Sequence, residues 1–177
     1  MRKLKNEELN RLTVEAYRNQ SKNPIILMLD DVRSLHNVGS AFRTADAFLL
    51  EKIILCGITG KPPHREINKT ALGATESVSW EYYSDPLLAL KKLKESGYLQ
   101  IVVEQADQSI PLNKFIPDIN NKYVLVFGNE VSGVKESIVH IADHVVEIPQ
   151  FGTKHSLNIS VSIGIVIWDI VNKLNLA

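Results

Sequence analysis

Three segments of this chain combine glycine with polar or charged side chains that could hold a ligand. They are residues 37–44 (NVGSAFRT), 126–133 (VFGNEVSG) and 148–160 (IPQFGTKHSLNIS). Each lies next to an apolar stretch, whose pattern predicts a strand or a helix. In α/β proteins, ligands bind where loops leave the carboxyl ends of parallel strands. The three segments are therefore the first candidates for a binding site.

The second segment carries Glu130 between Gly128 and Gly133. A glycine has no Cβ, so we expect Gly128 to let a ligand reach the main chain, where backbone groups can contact an adenine or a ribose. An ordinary strand-to-helix turn has the same pattern. The sequence contains neither the G-x-G-x-x-G spacing of dinucleotide-binding loops nor a Walker-type phosphate loop, so no phosphate-rich cofactor is indicated.

The first segment offers Arg43, whose guanidinium suits a bidentate contact with phosphate. Gly39 precedes it by one helical turn, and we expect this glycine to clear space beside the guanidinium. Asn37 is a good helix N-cap, so a helix is predicted to begin near it. The alternative for Arg43 is a surface arginine paired with Asp46 or Asp30.

Ser156 and Asn158 stand where the third segment meets an apolar stretch. They could contact a ligand, or they could simply cap a helix. His155 is interpreted as a solvated loop residue. None of His64, His144 and His155 has a cysteine or a carboxylate at the spacing of metal ligands, so we expect no metal.

Short apolar runs alternate along the chain with helical patterns. The predicted strands are residues 25–29, 53–55, 101–103, 123–126 and 145–148. A surface helix is predicted over residues 4–20, and a helix begins at Pro86, ends near Glu95 and is followed by Gly97. This alternation predicts an α/β fold, a parallel sheet covered by helices on both faces.

Residues 157–165 fit two structures. The alternation of branched apolar residues with polar ones predicts a strand. Helical spacing also works, because Ile159, Ile163 and Ile167 then share one stripe and Ser160 and Gly164 form a small-residue face one turn apart. The pattern by itself favours the strand.

Length and composition predict a single domain over residues 1–177, with residues 1–22 as an N-terminal helical extension. The single cysteine, Cys56, excludes an internal disulfide, and we expect it to be buried. No apolar run approaches the ~20 residues of a membrane-spanning helix, and the N-terminus has no apolar signal segment. We therefore expect a cytoplasmic protein.

The formal net charge is +0, whereas nucleic-acid-binding proteins are usually basic. The charge is unevenly placed. Residues 1–22 contain six basic and three acidic side chains. A second basic cluster consists of Lys61, His64, Arg65 and Lys69, with Glu66 as its acid. Either cluster could meet phosphate or form a solvated surface.

In their order and spacing, the three segments resemble the motifs of the SpoU (TrmH-like) RNA ribose methyltransferases of the SPOUT class, and the resemblance extends from about residue 24 to the end. It implies an α/β-knot fold with a C-terminal trefoil knot, and it makes residues 157–165 the start of the last helix. It further implies that S-adenosylmethionine is held by backbone groups of Gly128, Ile148 and Leu157. The polar catalytic set that it implies is Asn37, Arg43, Glu130, Ser156 and Asn158.

The reaction implied by this resemblance is methyl transfer to a ribose 2′-hydroxyl of tRNA or rRNA. The family acts as a homodimer, with each active site built across the interface. A free guanidinium has a pKa above ~12 and is a poor base. We therefore expect Arg43 to clamp the adjoining phosphate and to stabilise developing alkoxide charge, while the proton leaves to phosphate or water. Residues 63–74 resemble, more loosely, a substrate-side segment of these enzymes.

Two other functions are weighed against this one. One is a catalytically inactive RNA-binding or assembly factor with the same fold, which would have no need of all five polar residues. The other is a doubly wound small-molecule enzyme with a nucleotide cofactor. The missing phosphate-binding fingerprints argue against it.

Overall fold

The computed structural model describes residues 1–176, and among these residues seven parallel strands form one sheet. The strands are β1 (Asn23–Asp30), β2 (Leu50–Cys56), β3 (Trp80–Tyr83), β4 (Tyr98–Val103), β5 (Ile110–Pro111), β6 (Lys122–Phe127) and β7 (His144–Glu147). Their order across the sheet is β3-β2-β1-β6-β4-β7-β5. The five predicted strands are confirmed, and the short strands β3 and β5 are additional.

Helices cover both faces of this sheet, as predicted. They are α1 (Val14–Asn19), α2 (Leu35–Ala47), α3 (Arg65–Ala71), α4 (Ala74–Ser77), α5 (Pro86–Glu95), α6 (Glu136–Val139) and α7 (Ile159–Lys173). Apolar residues of α1 to α4 and of α7 belong to the core on one face, and those of α5 and α6 belong to the core on the other. Two 3₁₀ turns, Asn6–Leu9 and Leu112–Lys114, complete the elements.

Strand β1 shows why an unbroken apolar run becomes a central strand. Leu27 and Leu29 point into the core beneath α2 and α7, whereas Ile26 and Met28 point into the core beneath α5. All four are buried. Burying one such side chain stabilises the fold by ~1.5–3 kcal/mol. A strand with helices on both sides therefore needs apolar residues at every position.

Helix α2 begins two residues earlier than the sequence predicts. Its N-cap is Ser34, whose hydroxyl oxygen accepts a hydrogen bond from the backbone N–H of Asn37 at 3.3 Å. The prediction of Asn37 as N-cap is therefore wrong, because a serine three residues earlier already satisfies that backbone donor. As a result, the Asn37 side chain is free to act elsewhere.

Gly39 serves helix packing and does not clear space for Arg43. A Cβ built on Gly39 would overlap the hydroxyl of Thr70 and the carbonyl oxygen of Ile67, both on α3. The expectation that Gly39 makes room beside the guanidinium is wrong for this reason. The glycine instead lets the backbone of α3 lie directly against α2.

The predicted helix over residues 4–20 is interrupted. Asn10 takes a left-handed backbone conformation (φ 47°), and a new helix, α1, begins after Thr13, whose hydroxyl oxygen accepts the N–H of Ala16. Leu9 and Leu12 are exposed, and Tyr17 is the buried residue of α1. Short helices need tertiary packing to persist, and this segment has little.

Residues 159–173 form helix α7, so the helix implied by the resemblance is confirmed and the strand favoured by alternation is wrong. Ile159, Ile163 and Ile167 lie on one side of α7, and their side chains are buried. Helix α7 packs against α2. Burial of that stripe outweighs the strand preference of its branched residues. None of the helices within residues 1–176 has the length and apolar character needed to cross a membrane.

Candidate active site

A cavity of about 570 Å³ opens at the carboxyl ends of β4, β6 and β7, which are neighbours in the sheet. Its volume falls in the usual range for small-molecule sites, ~300–1,000 Å³. Six of the predicted site residues line it: Gly128, Glu130, Ile148, Ser156, Leu157 and Asn158. The sheet therefore brings the second and third sequence segments to one place, and the first segment lies beside them.

The loop after β6 is held in shape by Asn129. Its backbone exchanges two hydrogen bonds with Gly133, at 3.0 and 2.9 Å. Its side-chain oxygen accepts the backbone N–H groups of Val131 and Ser132, and its amide nitrogen donates to the carbonyl oxygen of Asp31 at 2.7 Å. Asn129 thus fixes the turn and ties it to the end of β1.

Gly128 is required by this turn itself. A Cβ at Gly128 would overlap the carbonyl group of Gly133 and the backbone nitrogen of Val134. The sequence interpretation, in which the missing Cβ leaves space for a ligand, is therefore corrected: the space is filled by the chain's own backbone. Gly133 has φ +68°, which favours glycine, and a Cβ there would overlap the carboxylate of Glu104.

Glu130 links the loop after β6 to the start of α2. Its carboxylate accepts the backbone N–H groups of Arg33 (2.9 Å) and Ser34 (3.0 Å) and the side-chain amide of Asn37 (3.0 Å). Partial burial raises the pKa of Glu130, but these three hydrogen bonds outweigh it and hold the pKa below the usual range of a glutamate. The carboxylate therefore stays ionised and occupies the anion-binding end of the helix.

Lys135 makes a second link between the same two regions. Its ammonium lies 2.7 Å from a carboxylate oxygen of Asp31 and 3.2 Å from one of Asp30. Burial raises the pKa of Asp30 despite this contact, whereas the hydrogen bond from Lys135 lowers the pKa of Asp31. Asp30 is 1% exposed, so Lys135 is needed to compensate a buried carboxylate.

Asn158 is the N-cap of α7, so the helix-capping interpretation holds for it. Its side-chain oxygen accepts the backbone N–H of Ser160 at 2.9 Å and the hydroxyl of Ser160 at 2.6 Å. Its side-chain amide donates to no group among residues 1–176. Ser156, also exposed, lines the cavity nearby. The amide of Asn158 and the hydroxyl of Ser156 are thus available to a ligand.

The cavity lining is acidic. Glu104, Glu130 and Glu147 belong to it, and its lining residues include no lysine or arginine. The carboxylate of Glu104 accepts the backbone N–H groups of Gln105 and Val134, both at 2.9 Å. Such a lining favours a ligand that carries positive charge, and it disfavours phosphate groups.

Arg43 is not part of this lining. Its side chain is exposed on α2 and forms no ion pair within residues 1–176. The two carboxylates proposed as its surface partners are engaged elsewhere: Asp46 accepts the hydroxyl of Ser77, and Asp30 pairs with Lys135.

The described part of the chain holds no group of three or more histidine, cysteine or acidic residues that could bind a metal.

The model of the SpoU rRNA Methylase family matches residues 24–168 of this chain. The chain belongs to the SpoU rRNA methylase family. Among similar proteins is a 23S rRNA (guanosine-2'-O-)-methyltransferase RlmB of Neisseria meningitidis, 32% identical over 153 residues, 86% of this chain and 60% of the relative. A tRNA (guanosine(18)-2'-O)-methyltransferase of Aquifex aeolicus is 31% identical over 82% of this chain and 67% of its own length.

Solved structures of SpoU proteins have the same fold. The A. aeolicus TrmH/SpoU tRNA modifying enzyme superimposes with a TM-score of 0.81 and 26% identity, over 92% of this chain and 83% of that one. An AdoMet-bound rRNA methyltransferase from Sinorhizobium meliloti gives 0.79 and 25%, over 88% and 59%. This SpoU chain thus spans about three fifths of the length of several relatives.

Several residues of this SpoU site were missed by reasoning on the sequence. Glu104, Asn129 and Lys135 hold the loops around the cavity, and none lies in a position that periodicity singles out. Glu104 had one available signal, since it directly follows a predicted strand and so lies at the carboxyl edge of the sheet. The pairing of Lys135 with Asp30 depends on strand order and carried no signal.

Proposed function

We propose that this chain is an S-adenosylmethionine-dependent RNA methyltransferase that methylates a ribose 2′-hydroxyl in tRNA or rRNA. The observation that carries the proposal is the cavity that two SpoU motif loops form at the carboxyl edge of the sheet. Its lining is acidic and disfavours phosphate groups. Relatives named as rRNA and tRNA 2'-O-methyltransferases support it. The alternative of a catalytically inactive assembly factor has no such support.

The cavity suits S-adenosylmethionine by charge and volume. This cofactor supplies a methyl group on a positively charged sulfonium, and it also carries an ammonium group and one carboxylate, so that positive charge exceeds negative charge. Glu104 and Glu147 offer carboxylates to these charges. Backbone groups of Gly128, Ile148 and Leu157 would hold its remaining parts. A nucleotide with phosphates would meet repulsion from the same carboxylates.

Within the catalytic set, Glu130 is assigned a positioning role. Its oxygens already accept three hydrogen bonds, and its low pKa makes it a poor proton acceptor. It fixes Asn37 and the start of α2 against the loop after β6. Ser156 and the amide of Asn158 are the groups we assign to direct contact with the ligand or the ribose. The proton of the 2′-hydroxyl leaves to a phosphate oxygen or to water.

Arg43 is assigned to the phosphate beside the reacting ribose, where it stabilises developing negative charge. Arg43 lies outside the cavity of its own chain, and we infer that a second copy completes the site. We therefore propose a two-fold homodimer in which Arg43 of one copy reaches the cavity of the other.

We propose that the chain is knotted at the third segment, which runs from β7 past the loop after β6 into α7.

The outer side of α7 is the surface proposed to form this dimer. Leu157, Val161, Ile165 and Trp168 recur every three or four residues and are 39%, 49%, 38% and 56% exposed. A Cβ on Gly164 would meet no atom within 4 Å, so another backbone can approach there. An exposed apolar stripe of this kind is typical of an interface between chains.

Light scattering at micromolar concentration is expected to give close to twice the 19.8 kDa of one chain. Val161→Glu should yield the single-chain mass, because it places a charge in the apolar interface. Leu88→Glu, at an equally exposed apolar position on α5 (47%), should leave the dimer intact. A parent protein that scatters as one chain would rule out the dimer.

The function is tested by methyl transfer from tritiated S-adenosylmethionine into total tRNA and total rRNA, followed by nuclease digestion. The expected product is a nuclease-resistant dinucleotide that carries one ribose methyl group. Label on a base would reject the 2′-hydroxyl as acceptor. Cofactor and RNA binding without transfer to either RNA would reject the enzyme in favour of the assembly factor.

Cytoplasmic location is part of the proposal, since tRNA and rRNA are the proposed substrates.

A further inference from the structure

A shallow depression lies beside the cofactor cavity, at the start of α2. It has a volume of about 350 Å³ and is lined by Arg33, Ser34, Glu130 and Val131. Glu130 and Val131 also line the larger cavity, so the two spaces adjoin. A ligand group placed in the depression would therefore be next to whatever occupies the cavity. Of the described residues, Arg33 is the one cationic side chain that lines the depression.

The guanidinium of Arg33 is left without a carboxylate. It is exposed and forms no ion pair or side-chain hydrogen bond within residues 1–176. The acids near it are already engaged: Asp30 and Asp31 pair with Lys135. Glu130 accepts the backbone N–H of Arg33, at 2.9 Å. No carboxylate forms an ion pair with this guanidinium within the described residues, and the Glu130 carboxylate that also lines the depression is held by its own hydrogen bonds.

The backbone donors at the start of α2 cannot take a phosphate, because Glu130 occupies them. Its carboxylate accepts the N–H groups of Arg33 and Ser34. An anion in the depression must instead be held by the guanidinium, whose planar fork matches two phosphate oxygens. Arg33 is the one cationic side chain among the described residues that line the depression, so the inference can be tested by substituting it.

Positive charge continues from the depression onto α3. His36, in the first turn of α2, contacts Glu66 on α3 at 2.9 Å, which places the two helix starts side by side. Glu66 also forms an ion pair with Lys69. The neighbouring Arg65 is exposed and has no ion pair within the described residues. The surface formed by Arg33, His36, Arg65 and Lys69, here called the α2–α3 basic face, thus has more cations than anions.

We propose that the depression beside Arg33 is a phosphate subsite for the RNA substrate, and that the RNA backbone continues from it across the α2–α3 basic face. The proposal rests on the proposed function, because it treats the polyanion as the substrate of the adjoining cavity. The subsite holds a phosphate that differs from the one assigned to Arg43, since Arg33 lines the depression that adjoins the cavity of the same chain and Arg43 lines neither space.

The test measures binding of fluorescein-labelled total tRNA and total rRNA by fluorescence anisotropy between about 50 and 200 mM KCl. Arg33→Ala should weaken binding about tenfold, and the slope of log Kd against log salt should fall by about one, the value for one lost phosphate contact. Arg33→Lys keeps the charge but not the fork, so it should keep the slope and recover only part of the affinity.

Lys91→Ala is the matched control, because Lys91 is exposed on α5, on the opposite face of the sheet. It should change neither affinity nor slope. Calorimetry with S-adenosylmethionine should give the parent value for Arg33→Ala. The subsite is rejected if Arg33→Ala keeps the parent affinity and slope, if Lys91→Ala loses as much, or if Arg33→Ala changes the mass in light scattering.

The outcomes separate this inference from the proposed function. An Arg33-dependent salt slope in a protein that transfers no methyl group would uphold the subsite and reject the enzyme. Methyl transfer that is equal in the parent and Arg33→Ala, with equal RNA affinity, would reject the subsite and uphold the enzyme. A parent protein that binds neither tRNA nor rRNA would reject both.

Discussion

Replacing Arg43 with alanine is expected to slow methyl transfer by ~10²–10³-fold, the usual loss when one electrostatic contact to a transition state is removed. The fold should be unaffected, because Arg43 is exposed and makes no ion pair within residues 1–176. The measurement is single-turnover transfer from tritiated S-adenosylmethionine into total tRNA and rRNA. Arg43→Lys should regain part of the rate, since it restores the charge without the bidentate geometry.

The controls for this variant address cofactor binding and assembly separately. Calorimetry with S-adenosylmethionine and the mass from light scattering should both match the parent, and Lys91→Ala should retain full activity. If Arg43→Ala methylates RNA as fast as the parent, the assignment of Arg43 is wrong. If the rate falls together with the dimer, Arg43 acts through the interface and not on the phosphate.

Gly128→Ala is expected to weaken S-adenosylmethionine binding roughly ten- to hundredfold. The new Cβ overlaps the backbone of Gly133 and Val134, and overpacking of this kind costs ~1–3 kcal/mol. The loop can relieve the overlap only by leaving the conformation that Asn129 holds, and the cavity wall moves with it. That cost converts to one or two decades in affinity. Calorimetry measures the affinity, and thermal unfolding measures the stability.

Gly152→Ala provides the matched control for this prediction. Gly152 lies in the third segment, and a Cβ there meets no atom within 4 Å. The substitution should therefore change neither cofactor affinity nor stability. Equal binding by Gly128→Ala and the parent would show that the turn tolerates the Cβ, and the account of Gly128 as a packing glycine would be wrong.

The effects expected for the Arg43 and Gly128 variants both depend on how the turn after β6 is held. Asn129, Glu130 and Lys135 each join this turn to the region between β1 and α2. These two regions are nearly a hundred residues apart in the chain but adjacent in space, because β6 pairs with β1. A change at any of the three contacts is therefore expected to reach both the cofactor loop and the segment that carries Asn37 and Arg43.

The sequence could predict the parts of the fold that depend on local pattern. The central strands are continuous apolar runs, because helices cover both of their sides, and α5 is bracketed by Pro86 and Gly97. The site segments were also found from sequence, because three segments rich in glycine and polar residues lie next to apolar stretches and, in their order and spacing, resemble the SpoU motifs. Their roles as catalytic and cofactor-binding residues stay predictions that the variants above test.

The sequence by itself thus determined the sheet, its covering layers and the three segments from which the site is built. Only the tertiary structure decided what particular residues do. Gly39 and Gly128 are glycines because another backbone lies against them, and Ser34 rather than Asn37 caps α2. Residues 159–173 are helical because α2 and the sheet bury one stripe of them. Each of these outcomes depends on contacts between distant parts of the chain, which no local pattern contains.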